Sequence, residues 1–173
     1  QRGLYGHAIH LEPREKARLK EVGAALVHCP TSNSFIGSGL FDMNGLAHAG
    51  QRIALATDTG GGSSFSMLRT MAAAYEIGQL NGHPLHPAQL LWLATMGSAR
   101  SLHLDHEIGS LTPGKYADLV VLDLASTPAI AQRQRRANDH WSSLFPTIMM
   151  GDDRAIHSVW VKGAEWHLSL IHI

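Results

Sequence analysis

The sequence predicts an α/β fold built on parallel strands. Short apolar runs alternate with helical patterns, in the order strand, helix, strand, helix, strand, helix, across the first two thirds of the chain. The predicted strands, residues 3–7, 24–28 and 53–57, are apolar rather than alternating, as in a sheet covered on both faces. Repeated βα units build either an open doubly wound sheet or a (β/α)8 barrel. Three strands cannot close a barrel, so they make a portion of one or a small open sheet.

Each element follows from local chemistry. The first strand ends in His7. Residues 12–22 read as a helix, with Pro13 in the first turn, where a missing N–H costs nothing, and Gly23 just past the end. Leu11, Ala17, Leu19 and Val22 give it a partial apolar face, with Arg14, Lys16, Arg18 and Lys20 outside. The second strand runs into Cys29-Pro30-Thr31-Ser32-Asn33, expected as a loop that Gly37-Ser38-Gly39 keeps open. A short helix fits residues 42–49, stopped by Gly50. The third strand ends at Thr57-Asp58, and Gly60-Gly61-Gly62 follows. Residues 65–80 read as a longer helix with Met67, Leu68, Met71, Tyr75 and Leu80 on its buried side. Helices are predicted over 87–96 and 98–102.

The character changes near Asp105. Turn-rich sequence leads to a strong strand at 117–124, then a polar stretch, Gln132-Arg133-Gln134-Arg135-Arg136, read as a solvated helix or linker. A helix over 142–150 ends at Gly151, and 156–162 is the last predicted strand. These late strands suggest a small β-rich appendage.

Bulk properties narrow the function. Lys plus Arg is 14 and Asp plus Glu is 14, so the formal net charge is zero. With no basic surplus, and no aromatics interleaved with the arginines of 132–136, nucleic acid is not an expected partner. No apolar run approaches a membrane span. The single cysteine, Cys29, forms no disulfide within the chain and fits a reducing, cytoplasmic compartment. The chain lacks an initiator Met and opens directly in a strand, so its true start is expected upstream.

Three polar groups stand at the carboxyl ends of successive strands: His7, then His28 with Ser32 and Asn33 beyond it, then Asp58. In parallel α/β folds that edge forms the ligand crevice. Each residue also has a plainer use. Either histidine can be structural, Ser32 and Asn33 can pin a loop, and Asp58 can shape a turn or cap the next helix. Asp58 has a specific chemical option as well, because a carboxylate can ligate zinc and accept a proton from water. A zinc site needs three or four ligands. The chain has no His-x-His pair in a strand, and the pairs His83/His86 and His103/His106 fall in turns. Cys29 precedes a proline with no activating helix N-terminus in view, and no Gly-x-Ser-x-Gly elbow occurs.

The run Gly6-His7, His28-Cys29-Pro30-Thr31-Ser32-Asn33, Thr57-Asp58 and Gly62-Ser63-Ser64-Phe65-Ser66-Met67-Leu68-Arg69 resembles the amidohydrolase superfamily. With Met150-Gly151-Asp152-Asp153-Arg154, it is most similar to the zinc aminohydrolase branch, and within that branch to the guanine deaminases. Ile108-Gly109-Ser110-Leu111-Thr112-Pro113-Gly114-Lys115 is common to the whole superfamily. The resemblance covers residues 3–163. It implies a C-terminal portion of a (β/α)8 TIM-type barrel, strands six to eight, plus part of a small β-sandwich. Residues 1–104 would be partial barrel, 105–164 partial sandwich with intervening helices, and 165–173 an atypical tail, of which 168–173 reads as foreign sequence.

By the same resemblance His7, His28 and Asp58 end the sixth, seventh and eighth strands. Asp58 is implied as the Zn2+ ligand that also takes a proton from water, and His7 as the catalytic group that orients that water. The implied reaction is hydrolysis of guanine to xanthine and ammonia, with a small purine as substrate and a homodimer as the assembly. The family's first-strand His-x-His and fifth-strand His-x-x-Glu are absent, so three zinc ligands and the ring-protonating acid lie outside this chain. The chain alone is therefore expected to be inactive. A related aminohydrolase or chlorohydrolase acting on another ring, and a non-catalytic α/β module, are the competing readings.

Overall fold

Strands β1 (Leu4–Gly6), β2 (Ala25–His28) and β3 (Arg52–Leu55) form one parallel sheet in the order β1-β2-β3. The computed structural model describes residues 3–168. Leu4, Tyr5 and Gly6 pair with Ala25, Leu26 and Val27, and Ala25 through His28 pair with Arg52 through Leu55. Just past the ends of β1 and β3, the His7 N–H donates to Val27 O at 2.9 Å and the Ala56 N–H to His28 O at 3.0 Å. The strands therefore finish level, and their loops open on one edge.

Helix α1 (Pro13–Glu21) carries Pro13 in its first turn, and the Glu15 carboxylate accepts from the Glu12 N–H at 2.7 Å. Its predicted apolar face is narrower than expected: Leu19 is buried, but Ala17 is exposed. The stretch after β2 is a correction. Cys29 through Asn33, expected as a loop, opens α2 (Pro30–Ile36). Pro30 is set for the first helical position by its fixed φ, and Gly37 closes the helix in the left-handed conformation at φ 69°.

Helix α3 (Met43–His48) is capped by Asp42, which accepts from the Gly45 N–H at 2.9 Å. Helix α4 (Met67–Leu80) starts at a Ser66 cap. Its buried face runs through Leu68, Met71, Ala72 and Gly78. Leu80, predicted on that face, is 71% exposed because the helical period carries Gly78 inward instead. Helices α5 (Pro87–Trp92) and α6 (Ser98–Ser101) are joined by a π-helical turn, Leu93–Gly97, where two separate helices were predicted. Ser98 Oγ–H donates to Leu93 O at 2.7 Å, and Ser98 Oγ accepts the Leu55 N–H at 3.3 Å, so this run is fastened to β3.

The remaining strands, β4 (Leu119–Leu122), β5 (Ile156–Val161) and β6 (Ala164–Leu168), form a separate antiparallel sheet. Between them lie α7 (Pro128–Gln134) and α8 (His140–Met150). The polar 132–136 stretch is the end of α7 and the turn beyond it, and the helix is anchored by fully buried Ile130. Residues 165–168, expected as atypical tail, extend the sheet as β6, paired with β5 through Ser158–Leu168 and Val161–Ala164. The rest of that tail, 169–173, lies outside the described residues.

One apolar core ties the parallel sheet to its helices. Leu26 and Leu55 from the sheet meet Phe41, Leu46, Leu68, Met71, Leu90 and Ile148. Phe41 is fully buried, and burial of a side chain this size contributes about 2–3 kcal/mol. The core holds β2 and β3 rigidly, which fixes where their final residues stand.

Candidate active site

The backbone at the sheet's carboxyl edge departs from ordinary conformations. His7 has φ 68°, Ala8 φ 51° and Asp58 φ 50°. Left-handed non-glycine residues are uncommon, and three just past the ends of the two outer strands mark a place where the fold overrides local preference. The glycines after Asp58 make its turn possible. The N–H groups of Gly61 and Gly62 donate to Asp58 O at 3.0 and 2.6 Å. A Cβ on Gly62 would stand 2.2 Å from Thr57 O, so only glycine fits that close approach. Thr31 Oγ–H donates to Thr57 O at 3.2 Å and ties this turn to α2. Asp58 does not cap the following helix, since Ser66 does. Its carboxylate is left facing the crevice.

The structure brings His7 and Asp58 together. His7 Nε2 lies 3.7 Å from Asp58 Oδ2. That is too long for a hydrogen bond, and it leaves both atoms open toward the crevice. The other ring nitrogen is engaged: His7 Nδ1 lies within hydrogen-bonding distance of Asn33 Oδ1, at 2.7 Å. Sequence reasoning gave Asn33 only a loop-pinning use. The α2 helix, hidden behind a Pro and a string of turn-forming residues, is what aims the Asn33 side chain at His7.

His28 occupies the same strand-end position as His7, with a different fate. It is 1% exposed and stacks on Phe41, with ring centroids 4.5 Å apart and planes 20° apart. Burial pushes its pKa down from 6.5 to about 3, so it stays neutral. His28 belongs to the core. Most other described histidines have surface or capping uses: His86 Nδ1 accepts from the Ala88 N–H at the start of α5, and His48 bonds Asn44 O.

Cys29, which is buried, joins the cluster. One ligating atom each from His7, Cys29 and Asp58 lies within 4.8 Å of the others. Cys29 directly precedes α2, so a helix N-terminus is present after all. The thiol is nevertheless held protonated, because burial pushes its pKa up and the Asp58 charge adds to that. Around one tetrahedral metal, neighbouring donor atoms sit about 3.3–3.5 Å apart. Three donors alone fall short of the four of a closed tetrahedral shell. Asp58 fits as an anionic metal ligand with an open face, His7 Nε2 borders that face, and further donors must come from elsewhere. The buried Ser32 Oγ and Asn33 Nδ2, without partners among the described residues, keep this region polar.

Elsewhere, a cavity of about 510 Å³ lies at the opposite end of β3, against Gln51, Arg52, Trp92 and Arg100, and includes none of the rim residues. Among the described residues no helix is long and apolar enough to cross a membrane.

Comparison with known proteins agrees with this arrangement. The description "Amidohydrolase family" matches residues 3–165. The guanine deaminase of Escherichia coli is 39% identical over 160 residues, covering 92% of this chain and 36% of that protein. A solved E. coli guanine deaminase superposes with a TM-score of 0.94 at 37% identity, covering 96% of this chain and 39% of that one. Guanine deaminase from Bradyrhizobium japonicum superposes at 0.89 with 33% identity, covering 96% and 42%. An adenosine deaminase from Xanthomonas campestris, solved with bound zinc, superposes at 0.78 with 28% identity, covering 94% and 36%. The chain thus spans well under half the length of these relatives. From its first described strand to the start of β6 it follows the family pattern, and the chain belongs to the amidohydrolase family.

Proposed function

We propose that this chain is the carboxyl-terminal portion of a zinc-dependent hydrolase that converts guanine and water to xanthine and ammonia. The observation that carries this reading is the pairing of His7 Nε2 with Asp58 Oδ2 across 3.7 Å at the open edge of the parallel sheet. Strong similarity to guanine deaminases along almost the whole chain supports the substrate. In this reading β1, β2 and β3 are the sixth to eighth strands of a (β/α)8 barrel, and β4–β6 are part of a β-sandwich. Leu4 and Tyr5 on edge strand β1, 46% and 50% exposed, then belong to a face that the rest of the barrel covers. The remaining metal ligands and the ring-protonating acid come from that missing part. The intact protein is read as a cytoplasmic enzyme of purine catabolism, active as a homodimer, and the 173-residue chain alone as inactive.

Zinc, when bound, supplies the Lewis acidity that makes water nucleophilic near neutral pH. Asp58 would hold it through one carboxylate oxygen and accept the proton released by the attacking water on the other. His7 would turn Nε2 toward that water, orient it and stabilise the charge building at the substrate carbon. The water oxygen bonds to the ring carbon and the exocyclic C–N bond breaks; one of water's protons ends on the ring nitrogen and the other on the departing amine, which leaves as ammonia.

The test is turnover by the full-length protein purified with zinc. Xanthine and ammonia should appear in equal amounts from guanine, and Asp58→Asn should abolish both. The fold likeness to an adenosine deaminase keeps a second purine in play. Turnover of adenosine but not guanine would move the substrate to that ring, and undiminished activity in Asp58→Asn would remove the site.

A further inference from the structure

We infer that Asn33 is a positioning residue that selects the tautomer of His7. The inference rests on the reading of His7 as the group that meets the reacting water, but its central test does not depend on turnover. Three observations carry it. His7 Nδ1 lies 2.7 Å from Asn33 Oδ1, a short contact between residues 26 positions apart. Asn33 is 1% exposed, so neither water nor another side chain readily replaces it. Its Nδ2 has no partner among the described residues, so the buried amide is retained at a cost that only its oxygen repays.

The amide is held stiffly. The Asn33 N–H donates to Cys29 O at 2.9 Å, and Asn33 O accepts the N–H groups of Gly37 and Ser38 at the end of α2. Ser38 Oγ–H approaches the same Oδ1 at 3.4 Å from a second direction. An oxygen fixed in this way accepts only a proton-bearing nitrogen. In the neutral ring the proton must then sit on Nδ1, which leaves Nε2 as a bare lone pair directed at the crevice. Free imidazole side chains favour the opposite form, with the proton on Nε2, so the fold imposes the minor tautomer. The oxygen belongs to a neutral amide rather than a carboxylate, so it sets the proton's location without adding charge beside Asp58.

The test is ¹⁵N NMR of the full-length, zinc-loaded protein labelled at histidine, with His7 assigned by comparison with His7→Gln. In a neutral ring the protonated and bare nitrogens resonate far apart. Wild type should show a protonated Nδ1 and bare Nε2. Asn33→Asp, which keeps an oxygen in place, should retain that pattern. Asn33→Leu, of similar shape but without the acceptor, should swing toward the Nε2–H form. Its kcat should fall about 10–100-fold, as for other groups that orient a reacting residue, with KM within about twofold. A protonated Nε2 in wild type, or a Leu variant with an unchanged spectrum, would overturn the assignment. If Asn33→Leu does not fold, wild type and Asn33→Asp still decide it, because Nε2–H in either contradicts the inference. Loss of guanine turnover in wild type would count against the proposed substrate while leaving the spectra interpretable.

Discussion

Asp58 and His7 arrive at their 3.7 Å separation from opposite edges of a three-stranded sheet, each through a left-handed residue at a strand end. Neither side chain is deeply buried: His7 is 44% and Asp58 35% exposed. The pair therefore gives the fold little stability, and its effect on function should separate cleanly from its effect on folding. In the full-length protein, Asp58→Asn should cut guanine turnover by at least about 10³-fold and weaken zinc retention on dialysis. His7→Gln should cut it about 10²–10⁴-fold with zinc retained. Thermal melting of the metal-free proteins should be nearly unchanged in both. Metal analysis beside steady-state kinetics checks the distinction.

Gly62 sets the position of the Asp58 turn through space rather than through an unusual φ. An added methyl would sit 2.2 Å from Thr57 O and 2.9 Å from Thr31 Oγ1, so the turn must shift. A displacement of about 1 Å in a reacting group can cost about 10²-fold. Gly62→Ala should lower kcat/KM by about that factor while far-UV circular dichroism stays native. Full activity in this variant would show that the turn accommodates the methyl and that Asp58 is not held as tightly as the contacts imply.

His28 and Phe41 lock the core end of β2 against the segment before α3. Phe41→Ala removes a fully buried ring and the stack on His28. The expected loss is about 3–5 kcal/mol, read as a lower urea midpoint.

The same histidine makes stability depend on pH. Its folded pKa is about 3, against 6.5 for an unconstrained ring. Between those values the unfolded chain binds a proton that the folded chain refuses. The stabilisation is complete above pH 6.5 and is lost as pH falls toward 3. The slope approaches about 1.4 kcal/mol per pH unit for this one group. Urea unfolding of wild type and His28→Gln at several pH values from 7 to 4 measures it, and the variant should lose about that slope. Parallel pH dependences would mean that His28 is protonated in the folded protein.

Much of this arrangement was legible in the residues, and the exceptions have physical causes. Apolar runs ending in His7, His28 and Asp58 located the carboxyl edge of the parallel sheet, because a sheet covered on both faces leaves little ambiguity about where strands stop. By residue pattern the two histidines looked alike, and only the family resemblance gave His7 a role and His28 none. Only the return of Phe41, 13 residues after His28, assigns one to the core and leaves the other at the crevice. Helix α2 escaped detection because Pro, Thr, Ser and Asn are turn formers locally, yet Pro at the first position and Gly at the last frame a short helix. Missing that helix concealed the Asn33–His7 bond, which depends on helical geometry. Residues 165–168 depart from the family pattern, yet β5 offers an edge and they pair with it.

The central claim is that Asp58 carries the metal. Anomalous diffraction at the zinc edge from crystals of the full-length protein tests it most directly. The account predicts one strong peak about 2.0–2.2 Å from an Asp58 carboxylate oxygen, with His7 Nε2 beside it but not bonded. A zinc ion bound elsewhere, with the Asp58 carboxylate uncoordinated, would contradict it.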